Sequence, residues 1–585
     1  MSANLLQRIC LLAIALWGGP FPAEAQTRLN NFVTEYADVA APGPQKCEFE
    51  FDRPGWVFVR TMHGERGAYV TLDESSDRVI EYRTGGPTDQ ETMRYLPAGR
   101  HTVTVQGGAV ARLQVRRVPE IRYCSFQYDP WVFQEGPYDW AFLQRFILPH
   151  VNTIVGTRGQ DQSDIAVSWR SNGGRWMIET AAPGLDRREL DAARRATTSE
   201  EVMDGFTGEG KLERQWIDGL LVDEYYDSLN YLFDPTVEAI RRIHADPRFS
   251  GKRVDLYVAG NADQLGEFFN EATDAGSVIA LEAYHPEQPT EAKAQSYLQR
   301  ELAQRMAAFA RLRPEAARKM VIALGIFSTP PETLDVYPFV NERVLRDMEF
   351  HLLANDPAFD GLAGVMAYTS GYANEQTLRW IGRLYRHYCI EGRTDRLSNE
   401  PYLLNHLHNS DFAEGTTDWK IQPAESGTIT TRKVPHLGEW QGRFNAAGVG
   451  DNCLVMTRSD AGPNQVQQRI RNLQPGRVYT LVMYSFDLNQ GRAIYGNPTF
   501  DDVTGIRIDI DNVESTAAGC YDHHFRSIHH QEPMFFNYHV RRFRATAGDA
   551  ALTIADWANP NDRRGNVRRN TGINFIEVRP YLNNE

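Results

Sequence analysis

Residues 216–226 read Trp216-Ile217-Asp218-Gly219-Leu220-Leu221-Val222-Asp223-Glu224-Tyr225-Tyr226, an apolar run that ends abruptly in two adjacent acids and two tyrosines. A nearly continuous apolar run is typical of a parallel strand that is buried on both faces. A charged side chain on such a strand costs desolvation free energy unless it is paired or takes part in chemistry. We therefore expect a buried strand here, with Asp223 and Glu224 at a functional edge.

Over residues 121–368, short apolar runs like this one alternate with long amphipathic stretches. The predicted strands are 121–127, 152–157, 175–181, 217–224, 253–259, 277–284, 320–327 and 362–368, and the clearest helical stretches are 140–150, 235–245, 291–310 and 341–354. Eight strand–helix units in this length predict an α/β fold, a (β/α)8 TIM barrel over residues 121–390. A doubly wound sheet is the alternative, although no glycine-rich phosphate loop follows the first strand.

The flanks of the barrel predict two further domains, because 585 residues are too many for one hydrophobic core. Short alternating runs at 56–59, 68–72 and 101–105, divided by Gly, Pro and Asp turns, predict an N-terminal β-sandwich over 27–120. Residues 390–402 are polar and are interpreted as a linker. The chain is β-rich again over 403–585, which predicts a C-terminal β-sandwich.

The first 25 residues have the features of a signal peptide. Arg8 precedes a short apolar run over 9–18, and Ala23-Glu24-Ala25 is an A-x-A cleavage pattern. No other stretch is long and apolar enough to cross a bilayer, so we expect a secreted protein, extracellular or periplasmic, without a membrane span. The net charge of −14 argues against nucleic acid as a partner, since phosphate binding requires a basic face.

Five cysteines remain once Cys10 leaves with the signal peptide. Export permits disulfides, and the odd number leaves at least one thiol free or paired with another chain. Cys453 and Cys520 are the preferred pair because both lie in the predicted C-terminal domain.

Functional side chains of a (β/α)8 barrel collect where strands end and βα loops begin. At the predicted strand ends lie Asp129, Glu179, Asp223, Glu224, Tyr226, Glu282, Tyr284, His285 and Tyr368, with Gln127, Tyr128 and Arg158 nearby. Several carboxylates converging with aromatic rings predict sugar chemistry, in which one acid protonates the leaving oxygen and another carboxylate attacks or activates water. We expect Glu224, Asp223 and Glu282 to be catalytic and the remaining six strand-end residues to bind substrate.

The Asp223-Glu224 pair resembles the strand-4 motif of barrel-type glycoside hydrolases, in particular the substrate-assisted hexosaminidases. That resemblance implies that Glu224 is the general acid and that Asp223 orients the substrate's acetamido group. Asp218-Gly219 followed by Asp223 is also similar to chitinase-type barrels, but the position of their catalytic acid is Tyr225 here.

Glu282 with the strand-4 acids resembles retaining α-glycosidases, where strand 4 carries the nucleophile. In the commonest β-retaining clan the nucleophile ends strand 7, and the stretch from Val321 to Ser328 at strand 7 of this chain contains no acid.

The C-terminal domain resembles a carbohydrate-binding module of the galactose-binding type, a resemblance that implies a jelly-roll sandwich. The resemblance rests on Asn409-Ser410-Asp411-Phe412, on Gly415 and Trp419, and on a final strand that contains Ile576-Glu577-Val578. Such modules hold a structural calcium ion, so the resemblance implies Asp411 and Glu577 as its ligands.

Together these features predict a secreted glycoside hydrolase that cleaves a polysaccharide or oligosaccharide and needs no cofactor for catalysis. The alternative is a non-catalytic glycan-binding protein on a degenerate barrel, which the absence of an acid on strand 7 favours. A third interpretation is an enzyme of another class, a polysaccharide lyase or an esterase, although no Gly-x-Ser-x-Gly elbow is present.

Overall fold

The structure is a computed structural model. It describes residues 26–582 except 41–44, 74, 84–85, 127–128, 158–160, 183–196, 369, 445–446, 489–504, 517, 528–533 and 560–568. The predicted signal peptide, Gln127, Tyr128 and Arg158 lie outside the described residues.

The N-terminal domain consists of two antiparallel sheets. Its strands are β1 (Thr27–Arg28), β2 (Thr34–Val39), β3 (Lys46–Phe51), β4 (Gly55–Met62), β5 (Tyr69–Leu72), β6 (Arg78–Glu81), β7 (Asp89–Leu96), β8 (Gly99–Gln106) and β9 (Arg112–Val118). One sheet has the order β1-β2-β9-β4-β7 and the other β3-β8-β5-β6. Alternate residues of β3, such as Phe49 and Phe51, are buried in the core between them, as the period-2 pattern predicts.

The central domain is a closed barrel of eight parallel strands, which confirms the predicted fold. In order around the barrel they are β10 (Glu120–Phe126), β11 (Thr153–Gly156), β12 (Arg175–Ala181), β13 (Gly219–Tyr225), β14 (Arg253–Val258), β15 (Ile279–Ala283), β16 (Met320–Gly325) and, after the hairpin β17 (Ser328–Thr329) and β18 (Glu332–Thr333), β19 (Gly364–Tyr368). Each overlaps a predicted strand. Strand β19 pairs with both β16 and β10, which closes the cylinder and excludes the open, doubly wound alternative.

A helix follows each barrel strand. The helices are α1 (Trp140–Phe146), α2 (Ser163–Ser171), α3 (Ser199–Thr207), α4 (Phe233–Ala245), α5 (Ala262–Asp274), α6 (Glu291–Leu298), which continues through a π-turn (Gln299–Gln304) into α7 (Arg305–Leu312), then α8 (Glu342–Asn355) and α9 (Glu375–Leu384), which ends in the π-turn Tyr385–Ile390. Local sequence explains their starts: Thr198 and Glu201 form a capping box before α3, and Asn374 caps Thr377 N in α9.

The amino-terminal end of the barrel is closed by buried ion pairs. Arg122 donates to Asp255 at 2.5 Å and to Glu120 at 3.0 Å, and Arg253 bonds the same two carboxylates. Strand charges at this end are therefore structural, which directs the search for chemistry to the opposite rim.

The C-terminal domain is also a sandwich of antiparallel sheets, as predicted. Its elements are β20 (Lys420–Gln422), β21 (Ile429–Lys433), the short helix α10 (Leu437–Trp440), β22 (Asn452–Thr457), β23 (Gln465–Ile470), β24 (Val478–Asp487), β25 (Arg507–Asp511), β26 (Val513–Ser515), β27 (Tyr521–Arg526), β28 (Phe535–Ala545), β29 (Ala550–Ala555) and β30 (Asn570–Pro580). The sheets have the orders β20-β23-β29-β25 and β21-β22-β30-β24-β28-β26, with β27 also paired to β28.

The predicted disulfide between Cys453 and Cys520 is wrong, since both are free thiols in the structure. Cys453 lies in β22, whereas Cys520 immediately precedes β27. Strands β30, β24 and β28 separate these two positions in the sheet, and each neighbouring strand adds about 4.8 Å. A disulfide requires Cα atoms within about 7 Å, so this sheet order excludes the pair.

The chain forms two compact units. The first contains the described residues of Met1–Pro119 together with Cys389–Arg393, and the second contains the barrel and the C-terminal sandwich. Among the residues described, no helix is long and apolar enough to cross a membrane.

Candidate active site

Four carboxylates lie where three barrel strands end. Glu179 is near the end of β12, Asp223 and Glu224 are near the end of β13, and Glu282 is near the end of β15. Because all barrel strands are parallel, their carboxyl ends lie at one rim, the position of active sites in this fold. We refer to Glu179, Asp223, Glu224 and Glu282 as the acidic rim.

A tyrosine joins two members of the acidic rim. The Tyr368 hydroxyl, at the end of β19, donates to Glu179 Oε1 at 3.0 Å and lies 3.4 Å from Asp223 Oδ1. Burial, followed by the charges of Glu179 and Glu224, raises the pKa of Asp223 to about 7. Asp223 is therefore partly protonated at neutral pH, which fits one acid in a group of like charges.

Glu282 is the second acid of the rim with a perturbed pKa. Burial and the charge of Glu224 raise the pKa of Glu282 to about 7, with a smaller contribution from Glu332, although Arg305 opposes the shift. Arg305 donates to the Glu282 backbone carbonyl at 2.5 Å and to the carbonyl of Gly260. Glu224 itself is exposed at the rim and is the charged neighbour that perturbs both Asp223 and Glu282.

Aromatic rings form a continuous wall beside the acidic rim. The successive contacts are Tyr257–Tyr368 (4.7 Å between ring centroids), Tyr368–Tyr284 (6.2 Å), Tyr284–Phe327 (4.8 Å), Phe327–Tyr372 (5.5 Å) and Tyr372–Trp131 (5.9 Å). The Tyr257 hydroxyl donates to the Tyr284 hydroxyl at 2.7 Å. Trp131 lies at the open end of the wall, is 59% exposed and stacks on Tyr372. An exposed indole of this kind presents a flat apolar face to a ligand.

The remaining predicted site residues have different surroundings. Asp129 is exposed in the loop after β10, and Tyr226 directly follows β13, where its carbonyl accepts a hydrogen bond from Leu229 N. His285 is only 2% exposed and bonds Glu349 at 2.7 Å. The structure therefore places His285 in a buried hydrogen-bonded network with Glu349 and Arg346 rather than on the acidic rim.

The predicted calcium ligands do not fit a metal site. Asp411 already binds a cation, because Arg443 donates to both of its oxygens at 2.8 and 3.2 Å. Glu577 is buried and lies 3.4 Å from Arg579. In the described part of the chain, no group of three or more His, Cys, Asp or Glu side chains is arranged to hold a metal ion. Arginines therefore take the positions that the resemblance implied for calcium.

Sequence reasoning missed four residues that shape the site. Tyr257 lies inside β14, Glu332 on β18, Arg305 at the start of α7 and Phe444 in the C-terminal domain. The rule that site residues lie near strand ends could have indicated Tyr257, which has a polar hydroxyl and lies near the end of a predicted strand. The other three come from outside the barrel strands, so no strand-end rule points to them.

The fold and the acidic rim define a multidomain (β/α)8-barrel protein with two β-sandwich domains. A GH2 β-galacturonidase from Eisenbergiella tayi, bound to glycerol, matches 62% of this chain and 91% of its own, with 9% identity and a TM-score of 0.32. A calcium-binding mutant of β-glucuronidase 2 from Bacteroides uniformis matches 91% of this chain and 79% of its own, with 10% identity and a TM-score of 0.32. The module TmCBM61, solved with β-1,4-galactotriose, matches 30% of this chain and 98% of its own, with 12% identity and a TM-score of 0.18.

These similarities are distant, with TM-scores well below 0.5, and they assign no family. No protein-family model matches the sequence. No curated protein matches it either. The chemistry of the site therefore has to be inferred from its own geometry.

Proposed function

We propose that this protein is a glycoside hydrolase that uses the acidic rim as its catalytic site. The observation that supports this proposal is the convergence of Glu179, Asp223, Glu224 and Glu282 at one end of the barrel, with the pKa of two of them raised to about 7. Glycosidic hydrolysis requires one protonated and one ionised carboxyl group at neutral pH. A rim that separates the pKa values of its acids supplies both forms.

Glu282 is the proton donor in this proposal, and Glu224 is the ionised partner. The charge of Glu224 helps to raise the pKa of Glu282, so protonated Glu282 beside ionised Glu224 is the favoured charge state of this pair. Glu282 then protonates the leaving oxygen, and Glu224 attacks the anomeric carbon or activates water. This assignment gives Glu282 the acid role that the resemblance to hexosaminidases implied for Glu224.

Asp223 and Tyr368 position the sugar in the proposed reaction. The Tyr368 hydroxyl lies between Glu179 and Asp223, so the three groups offer a fixed set of donors and acceptors to a ring substituent. The aromatic wall that ends at Trp131 supports the apolar face of the sugar ring. Carboxylate chemistry of this kind needs no cofactor, so we expect activity to survive treatment with EDTA.

The test compares the mature protein with Glu224→Gln and Glu282→Gln on polysaccharides and on two series of aryl glycosides. Loss of either carboxyl group should lower kcat on p-nitrophenyl glycosides by about 10²–10⁴-fold. With 2,4-dinitrophenyl glycosides the leaving group needs no protonation, so Glu282→Gln should keep most of its kcat/KM, which reports the bond-breaking step, and Glu224→Gln should not. Glu200→Gln, a change at an exposed residue of α3, serves as the matched control.

Each alternative has its own outcome in this experiment. The reverse pattern on dinitrophenyl substrates would return the acid role to Glu224. Hydrolysis that is unchanged in both variants would exclude the acidic rim as the catalytic site. Glycan binding without any hydrolysis by the wild type would support the non-catalytic alternative.

We also propose that the protein is exported. The N-terminal features described above support this, and intact mass measurement of the protein from a secreting host tests it. Cleavage after Ala25 is expected, whereas a full-length cytosolic product would contradict export.

A further inference from the structure

A short segment of the C-terminal sandwich pairs with a hairpin at the mouth of the barrel. Residues 441–444 pair with the hairpin β17–β18, which follows barrel strand β16. Thr333 N donates to Gly442 O at 2.8 Å, and Phe444 N donates to Thr333 O at 2.8 Å. We call residues 441–444 the bridging segment.

A buried polar network holds the bridging segment in place. Arg443 is fully buried, binds both oxygens of Asp411, and also donates to Gln441 Oε1 at 2.8 Å. Gln441 in turn donates to Asn574 Oδ1 on β30 at 2.7 Å. Breaking one partner of a buried charge pair is strongly destabilising, so the network fixes the segment relative to the sandwich core.

Gly442 permits the close approach to the barrel loop. Its φ is +81°, and a Cβ atom at this position would lie 2.0 Å from the carbonyl oxygen of Pro331. Only glycine combines this backbone conformation with that distance. The backbone of the sandwich is thus held directly against the hairpin that carries Glu332.

The bridging segment places Phe444 at the aromatic wall. Its ring is 5.8 Å from that of Tyr284, edge-to-face at 81°, and its side chain is only partly buried. Tyr284 contacts Tyr368, whose hydroxyl bonds Glu179. Two aromatic rings therefore connect Phe444 to Glu179 of the acidic rim.

From this placement we infer that Phe444 contributes to the substrate cleft and helps to determine specificity, so that the C-terminal sandwich is part of the active site. The ligand class is a pyranose ring whose C–H face packs on Phe444, next to Tyr284 and the acidic rim. The inference rests on the proposed function for the substrate class. Pyranose binding, however, can be measured without hydrolysis.

The experiment uses full-length mature protein carrying Phe444→Ala, Phe444→Leu or Ile421→Ala. Ile421 is a 40% exposed residue of β20, on the other sheet of the sandwich, and provides a matched apolar truncation. Steady-state kinetics are measured on p-nitrophenyl pyranosides, and thermal unfolding is followed for every variant. Binding of a panel of methyl pyranosides is measured by saturation-transfer NMR in the Glu282→Gln background.

We expect Phe444→Ala to raise KM about 5- to 10-fold with kcat changed less than twofold, and to weaken methyl pyranoside binding by a similar factor. Phe444→Leu, which keeps an apolar packing group, should retain the melting temperature and recover part of the affinity. Ile421→Ala should change none of these quantities. If Phe444→Ala binds methyl pyranosides more weakly at an unchanged melting temperature, and the wild type hydrolyses nothing, the inference is supported while the proposed function fails.

Three results would overturn the inference. The first is unchanged KM and binding in both Phe444 variants. The second is a loss of binding in Ile421→Ala alone, which would place glycan recognition on the sandwich surface. The third is the absence of any methyl pyranoside binding by the Glu282→Gln protein, which would exclude the ligand class.

Discussion

Replacing Asp223 with asparagine is expected to stabilise the protein at alkaline pH. The pKa of Asp223 is raised to about 7 in the folded protein, mainly by burial and by Glu179. In the unfolded chain it returns to about 3.9. Between these values the folded state holds a proton that the unfolded state releases, so stability falls as pH rises through this window and levels off above it.

The magnitude follows from the two pKa values. At about 1.4 kcal/mol per pH unit, the difference corresponds to about 4 kcal/mol above pH 7. Asp223 is only partly buried, so water stabilises some of its charge and we expect about 1–3 kcal/mol at pH 8.5. At pH 4 the folded state holds the proton almost all of the time and the unfolded state about half of the time, so the difference should fall to about 0.5 kcal/mol.

Scanning calorimetry at pH 8.5 and pH 4 measures this effect. For a unit of this size, unfolding entropies of about 2 cal/mol/K per residue convert 1 kcal/mol into about 1 °C, so Asp223→Asn should melt about 1–3 °C higher at pH 8.5. Glu200→Gln is the control, because the exposed Glu200 has its pKa lowered by Arg242 and should show no gain at alkaline pH. Equal stabilisation of Asp223→Asn at both pH values, or none at pH 8.5, would refute the electrostatic explanation.

Three further perturbations probe the rim and the bridging segment. The Tyr368 hydroxyl bonds Glu179, and its hydrogen bond to Asp223 lowers the pKa of that carboxyl group. Tyr368→Phe removes this hydroxyl and should therefore raise the pKa of Asp223. We expect kcat/KM to fall about 10- to 100-fold and the pH–rate profile to move to higher pH. Arg443→Met leaves Asp411 without its cation and should lower the free energy of unfolding by about 3–5 kcal/mol. The double variant Arg443→Met, Asp411→Asn should recover part of that free energy, as measured by thermal unfolding. Gly442→Ala should lower the melting temperature, because its Cβ has no room beside the Pro331 carbonyl. An unchanged melting temperature there would mean that the hairpin can move away.

The sequence predicted the barrel well because its signal is local. Each strand is a short apolar run followed by an amphipathic helix, and burial on both faces leaves the same pattern in all eight units. The run that ends at Asp223 and Glu224 illustrates this, since β13 begins at Gly219 and ends at Tyr225. Parallel strands share one carboxyl edge, so the convergence of Glu179, Asp223 and Glu282 could also be expected from the sequence.

The sequence could not predict which of these acids are paired with a cation and which have a perturbed pKa. Asp255 and Glu282 are both carboxylates on barrel strands, yet Asp255 bonds Arg122 at the closed end while Glu282 lies near Glu224 at the open rim. His285 was expected to bind substrate, but it lies in a buried pair with Glu349 of α8, 64 residues further along the chain. Such pairings depend on distances that no local pattern records.

The sequence by itself determined the α/β barrel, its two β-sandwich flanks and the strand ends where carboxylates collect, because periodicity and burial act on neighbouring residues. Only the tertiary structure decided which charges neutralise each other. It placed Arg443 rather than a metal ion beside Asp411, separated Cys453 from Cys520 by three strands, and brought Phe444 to Tyr284. Each of these outcomes depends on contacts between elements distant in the chain, where a few ångströms decide whether an interaction exists.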